Sequence, residues 1–141
     1  MHPTDDNCIF CKIVKGQIPC FKLHEDADTI AFMDINPVND GHALAVAKGH
    51  YANIHDIPAD VLGKVAATAQ RVAKAQHKAL APSGINLLQA NGPGAGQTVF
   101  HLHFHVLPRT ERDGELKVNW GHNPGDMARI KAVYEKMLKA M

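Results

Sequence analysis

From Phe100 to Leu107 the chain reads Phe100-His101-Leu102-His103-Phe104-His105-Val106-Leu107, imidazole and apolar side chains in strict alternation. Side chains along a strand point to opposite faces with a period of two. The pattern therefore predicts a strand over Val99 to Leu107, with Leu102, Phe104 and Val106 on one face and His101, His103 and His105 on the other. Successive imidazoles on that face are spaced about 7 Å along the strand. That spacing suits lining a single phosphate-sized ligand or donating ligands to one metal. The chain has ten histidines against five Phe, one Trp and two Tyr, and three of the ten meet on this strand. Near neutral pH an imidazole serves as nucleophile, base, acid or metal ligand.

The segment before the strand, Asn91-Gly92-Pro93-Gly94-Ala95-Gly96-Gln97, is glycine-rich, so its backbone can approach a ligand and offer N–H groups to an anion. A strand rather than a helix follows it, which excludes a dinucleotide-binding fingerprint. Elsewhere, Thr29 to Asp34, His42 to Ala47 and Ile85 to Gln89 read as strands. Asn36-Pro37 and Asn39-Asp40-Gly41 supply turn chemistry between the first two. Val61, Leu62, Val65, Ala69, Val72 and Ala73 recur at helical spacing up to Leu80, opposite Lys64, Arg71, Lys74 and Lys78, with Asp60 as the N-cap. A short helical turn is expected around Cys8 to Val14. A last amphipathic helix is expected from near Pro124, burying Met127, Ile130, Val133, Met137 and Leu138. Strands and helices in this order predict an α+β domain on an antiparallel sheet.

Two function classes are excluded on composition. With 15 Lys+Arg against 14 Asp+Glu the net charge is +1, which is no electrostatic footprint for nucleic acid. The longest stretch without a charged residue, Ala79 to Pro108, carries prolines, glycines and three histidines, so no membrane span or membrane partner is expected. The polar start, Met1 to Asn7, carries no secretory signal. Three cysteines, an odd number, point to a reduced cytoplasmic setting. Cys8-Ile9-Phe10-Cys11 has the Cys-x2-Cys spacing that clamps one side of a tetrahedral zinc. No second such pair exists; His50 and His101 are candidates for the other two ligands, and two buried thiols without metal are the alternative.

The segment His101-Leu102-His103-Phe104-His105-Val106-Leu107 resembles the signature of the histidine triad (HIT) family, in which histidines alternate with apolar residues. Ile9 to Val14, Ile18-Pro19, Ala31 to Pro37, Gly41-His42 and Gly96 to Phe100 are similar to its bacterial Hint-like branch. The resemblance implies one HIT domain over residues 1–141, with a core over about 8–109 and a tail and helix over 110–141. It implies an antiparallel sheet of about five strands with two helices, continued across a homodimer. The implied activity is cleavage of nucleoside phosphoramidates, or related nucleotidyl conjugates, at the α-phosphate through a nucleotidyl-histidine, releasing a nucleoside monophosphate. The substrate would be a purine nucleotide, and no organic cofactor is implied. His103 would be the nucleophile. His105 would contact the phosphate and assist the leaving group, and His101 would be shared with zinc. Gln97, Thr98, Asn91 and His42 would line the phosphate site, and Asp34 would accept the ribose hydroxyls. Phe10, Ile18, Phe32 and Ile35 would form the base slot. Alternatives are dinucleoside polyphosphate hydrolysis, a nucleotide-binding regulatory module with little turnover, and a protein in which all three triad histidines bind one zinc.

Overall fold

In the computed structural model, which describes residues 1–111 and 123–141, a single five-stranded sheet organises the chain. The elements are α1 (Ile9–Val14), β1 (Lys22–Glu25), β2 (Thr29–Met33), β3 (Ala43–Ala47), α2 (Ala59–Leu80), β4 (Gly84–Leu88), β5 (His103–Arg109) and α3 (Met127–Ala140), with a short 3-10 turn at Pro93–Ala95. The strand order is β1-β2-β3-β5-β4, and every neighbouring pair is antiparallel. The α+β class and the antiparallel sheet agree with the sequence.

Strict alternation gives the sheet two different faces. On one, Ala31, Ala43, Ala45, Ala47, Leu102 and Val106 pack against Val65, Ala69 and Val72 of α2. Four alanines on that face let the helix approach closely. On the other, Ile30, Phe32, Leu44 and Val46 pack with Phe10 of α1. β3 pairs Val46 with His103 and Leu44 with His105, so the histidines share this second face. Thr68 of α2 hydrogen-bonds Thr29 through the two hydroxyls at 2.7 Å, and Gln76 donates to the carbonyls of Gly41 and Val106. Neither polar anchor was foreseen among the helix's apolar stripe.

Several boundaries differ from expectation, each for a local reason. β5 begins at His103 rather than Val99, because the Leu102 N–H donates to Tyr51 O at 2.7 Å, outside the sheet. β3 begins at Ala43, since the His42 N–H closes a turn onto Asn39 O. β4 is shifted one residue earlier than read, to Gly84–Leu88. β1 escaped the sequence reading because Lys22-Leu23-His24-Glu25 carries only one apolar residue; it is an edge strand whose charges discourage further pairing. Helix α2 is capped by Pro58, with Asp60 inside its first turn, where the carboxylate complements the helix dipole rather than capping it. The stripe of α3 is not buried: Met127, Ile130, Val133, Met137 and Leu138 are all exposed. Beside the two longer helices, α1 is the short helical turn expected around Cys8 to Val14.

Gly41 carries a structural requirement. Its φ is +89°, and a Cβ there would fall 2.5 Å from Leu80 Cδ1 and 3.0 Å from Pro108 Cγ. Gly63, inside α2, has open space around it. Gly41→Ala is expected to destabilise by at least about 2 kcal/mol through strain and overpacking. Gly63→Ala should stabilise by roughly 0.5–1 kcal/mol. Urea unfolding of both variants checks the opposite signs.

Candidate active site

β5 and the residues just before it carry the three histidines, each of which finds a different partner. His103 is buried, and its Nδ1 lies 2.6 Å from the main-chain oxygen of His101. A carbonyl oxygen only accepts, so Nδ1 holds the proton and Nε2 is left with a bare lone pair. The rings of Phe10 and His103 meet at close to a right angle, with centroids 5.1 Å apart, which fixes the imidazole plane. His105 leans toward His103, with ring centroids 4.9 Å apart, closer than the strand repeat alone suggests. Its Nδ1 lies 2.8 Å from Nε2 of His42, and Asp34 Oδ2 is 3.4 Å from that same His42 nitrogen. Burial pushes the pKa values of His42 and His103 below the ordinary 6.5 and that of His105 to about 4. For His105 the neighbouring imidazoles of His103 and His42 add to the effect of burial. At neutral pH the cluster is a set of uncharged rings.

His101, lying outside the strand, turns to another cluster. It is fully buried, and its Nε2 lies 2.6 Å from Ala47 O, so its Nδ1 is the free nitrogen. That Nδ1 sits 3.4 Å from Cys8 Sγ and 3.5 Å from Cys11 Sγ, and His50 Nδ1 sits 3.4 Å from Cys11 Sγ. The ligand atoms of Cys8, Cys11, His50 and His101 all lie within 4.8 Å of one another. A tetrahedral zinc with ordinary bond lengths holds sulfur and nitrogen about 3.6 Å apart, so the donor set and its spacing fit. Cys8 also caps α1, its sulfur accepting the Cys11 N–H at 3.5 Å, while the Asp5 N–H points at Cys11 Sγ, also at 3.5 Å. Asp5 Oδ2 stands 3.8 Å from His50 Nε2, the position of an outer partner to a ligating imidazole.

The structure places the remaining expected residues less uniformly. Gln97 does not offer free donors: its Nε2 donates to Ala52 O and Val99 O, and its Oε1 accepts the Gly92 N–H. It braces the glycine-rich turn, where Gly92 and Gly96 have φ of +87° and +86°. Asn91 is likewise tied to Gln89 and to the Ile54 N–H. His42 is 3% exposed, with its Nε2 turned to His105 and Asp34. Thr98 is exposed. Phe10 and Phe32 touch edge to face at 5.6 Å and are buried, Ile18 is half-buried, and Ile35 is 75% exposed on the loop after β2. Asp34 accepts the Asn36 N–H on its Oδ1. Sequence reasoning missed Gln76, Gln89 and the carbonyls of Ala47 and His101. No side-chain signal announces a main-chain acceptor.

A sheet that presents buried neutral imidazoles beside a braced glycine turn defines a class: α+β proteins whose chemistry rests on histidine. Residues 15–112 match the HIT domain, and the chain belongs to the HIT family. It is 41% identical over 131 residues to adenosine 5'-monophosphoramidase hnt1 of Schizosaccharomyces pombe, covering 93% of this chain and 96% of that one. It superposes on a HIT family protein of Bacillus anthracis with a TM-score of 0.90 at 36% identity, covering 98% and 99% of the two chains. With a zinc-bound histidine triad family protein of Mycobacterium smegmatis the TM-score is 0.74 at 32% identity, covering 96% and 98%.

The lowered imidazole pKa values set an acid limit. An unfolded chain takes up protons at these rings below about pH 6.5, while the native chain resists them. The stability they confer is therefore complete above 6.5 and drains as pH falls toward about 4, where His101 and His105 titrate in the fold. The urea midpoint in metal-free buffer should drop between pH 7 and pH 5, and His105→Gln should flatten that slope. Equal midpoints at both pH values would contradict the reading.

Proposed function

We propose that this protein is a nucleotide phosphoramidase that cleaves purine nucleoside phosphoramidates at the α-phosphate. One observation supports this above the rest: the His103 Nδ1–H is spent on a main-chain oxygen, which leaves Nε2 as an uncharged nucleophile needing no base. The name of the fission yeast relative points to the same substrate class.

In the first step the Nε2 lone pair of His103 forms a bond to the α-phosphorus. The phosphorus–nitrogen bond to the leaving amine breaks, and the amine takes up one proton. The product is a nucleotidyl-histidine whose ring carries the positive charge. In the second step water attacks the phosphorus, the bond to Nε2 breaks, and one proton returns to solvent. One water is consumed overall, and a nucleoside monophosphate is released. His105 contacts the phosphoryl group, Asp34 accepts the ribose hydroxyls, and Thr98 stands at the leaving-group side. The apolar face of Phe10, Phe32, Ile18 and Ile35 serves the base. Gln97 and Asn91 act by holding the turn between β4 and β5 in shape.

Cys8, Cys11, His50 and His101 would hold a structural zinc, which would pin α1 to the start of the catalytic strand. We place the protein in the cytoplasm, where a thiolate pair stays reduced; no described helix is long and apolar enough to cross a membrane. A homodimer would form along β4, the sheet edge opposite β1, where Leu87 and Leu88 are exposed.

His103→Ala should lower AMP release from an adenosine phosphoramidate by roughly three orders of magnitude or more and abolish the trapped nucleotidyl-protein adduct seen by mass spectrometry. Equal rates for the two proteins would sink the mechanism. Elemental analysis separates the metal from the chemistry. Cys8→Ala should lose zinc and His103→Ala should keep it; loss in both would favour a triad that ligates metal with all three histidines.

A further inference from the structure

The ring of His42 is engaged at both nitrogens. The main-chain N–H of Val38 points at its Nδ1 from 3.1 Å. A peptide N–H only donates, so Nδ1 accepts, and the neutral ring must carry its proton on Nε2. That N–H lies 2.8 Å from His105 Nδ1, with Asp34 Oδ2 as a second acceptor at 3.4 Å. His105 Nδ1 therefore accepts as well, because a hydrogen there would collide with the one on His42. The proton of His105 is left on Nε2, on the other edge of the ring.

We infer that His42 is a positioning residue: it holds His105 as the Nε2–H tautomer, so that the ring next to His103, 4.9 Å away between centroids, is an uncharged hydrogen-bond donor. The two neighbouring rings thus carry opposite tautomers, His103 set by the His101 carbonyl and His105 by the Val38 amide through His42. A neutral imidazole donor stabilises charge gathering on a phosphoryl or leaving group without itself requiring a buried charge. The geometry is braced from behind. Gln76 donates to Gly41 O and Val106 O, the neighbours of His42 and His105 in the chain, and Asn39 Nδ2 donates to Pro108 O. The turn that presents Val38 is locked to β5 at both contacts.

The same logic separates the two clusters with metal-like spacing. Asp34, His42 and His105 converge as tightly as Cys8, Cys11, His50 and His101. In the cysteine cluster the His101 proton is turned away to Ala47 O, and Nδ1 faces the sulfurs. In the Asp34 cluster the nitrogen at the centre carries the hydrogen. It is a hydrogen-bond relay, and the chain should bind one zinc rather than two.

This role for His105 rests on the phosphoramidase reading, but the tautomer is measurable without turnover. In histidine-labelled protein at pH 7, long-range 15N–1H spectra should show His105 protonated on Nε2 and bare at Nδ1. His42→Leu should release that tautomer and lower kcat roughly 10- to 100-fold with little change in KM. His42→Gln, whose amide supplies both an acceptor for Val38 and a donor for His105, should restore the His105 signature and most of the rate. A proton on His105 Nδ1 in the wild type, failure of Gln to recover what Leu loses, or a second zinc held by His42 would overturn the inference. Absence of phosphoramidate turnover in a wild type with the expected tautomers would overturn the functional reading alone.

Discussion

Strand β5 has to serve two cores at once, and the rest of the molecule is arranged to let it. Its odd and even residues face different environments because a strand repeats every two residues. Val106 seals against α2 while His103 and His105 face α1 and the loop after β2. The alanines of β2 and β3 belong to the same constraint. They keep the α2 side thin and well packed, so that the opposite side has room for rings.

Burial then does chemical work. An imidazole in water is a mixture of two neutral tautomers and a cation. Here the cation is disfavoured at His101, His103, His105 and His42 by desolvation, and each tautomer is chosen by a nearby group that can only accept or only donate. The three triad histidines, equivalent in the sequence pattern, come to differ: Nδ1 of His101 faces two sulfurs, Nδ1 of His103 is spent on a main-chain oxygen, and Nδ1 of His105 meets His42. What distinguishes them is not residue type but the group behind each ring: a main-chain oxygen for His101 and His103, the imidazole of His42 for His105.

The alternation around His103 made β5, its two faces and the fold class legible, and the helical stripe of Val65, Ala69 and Val72 made α2 legible. The Cys8 and Cys11 spacing, with His50 and His101, named the four residues that the structure gathers into one cluster. Other features were hidden for physical reasons. β1 is an exposed edge with too few apolar residues to show a period. The stripe of α3 has the pattern of a buried face, yet periodicity says only that a face is apolar, not that this chain covers it. Gln97 and Asn91 look like ligand-facing amides in sequence, but in the fold their polar atoms are taken by Gly92, Ala52, Val99, Gln89 and Ile54. Most of the stretch between β5 and α3, residues 112–122, lies outside the described part of the chain.

The acceptors behind His101 and His103 are peptide oxygens, of Ala47 and of His101 itself. Such atoms are present whatever side chain occupies the position. The proton inventory of these two rings is thus written in main-chain geometry, for His103 within its own segment and for His101 in the alignment of that segment with Ala47. Neighbouring side chains are free to drift over evolutionary time without disturbing it, so long as β3 and β5 stay aligned. A one-residue slip between those two strands would take the acceptor from His101 while leaving that of His103 in place, turning a packing error directly into a chemical one at a single ring.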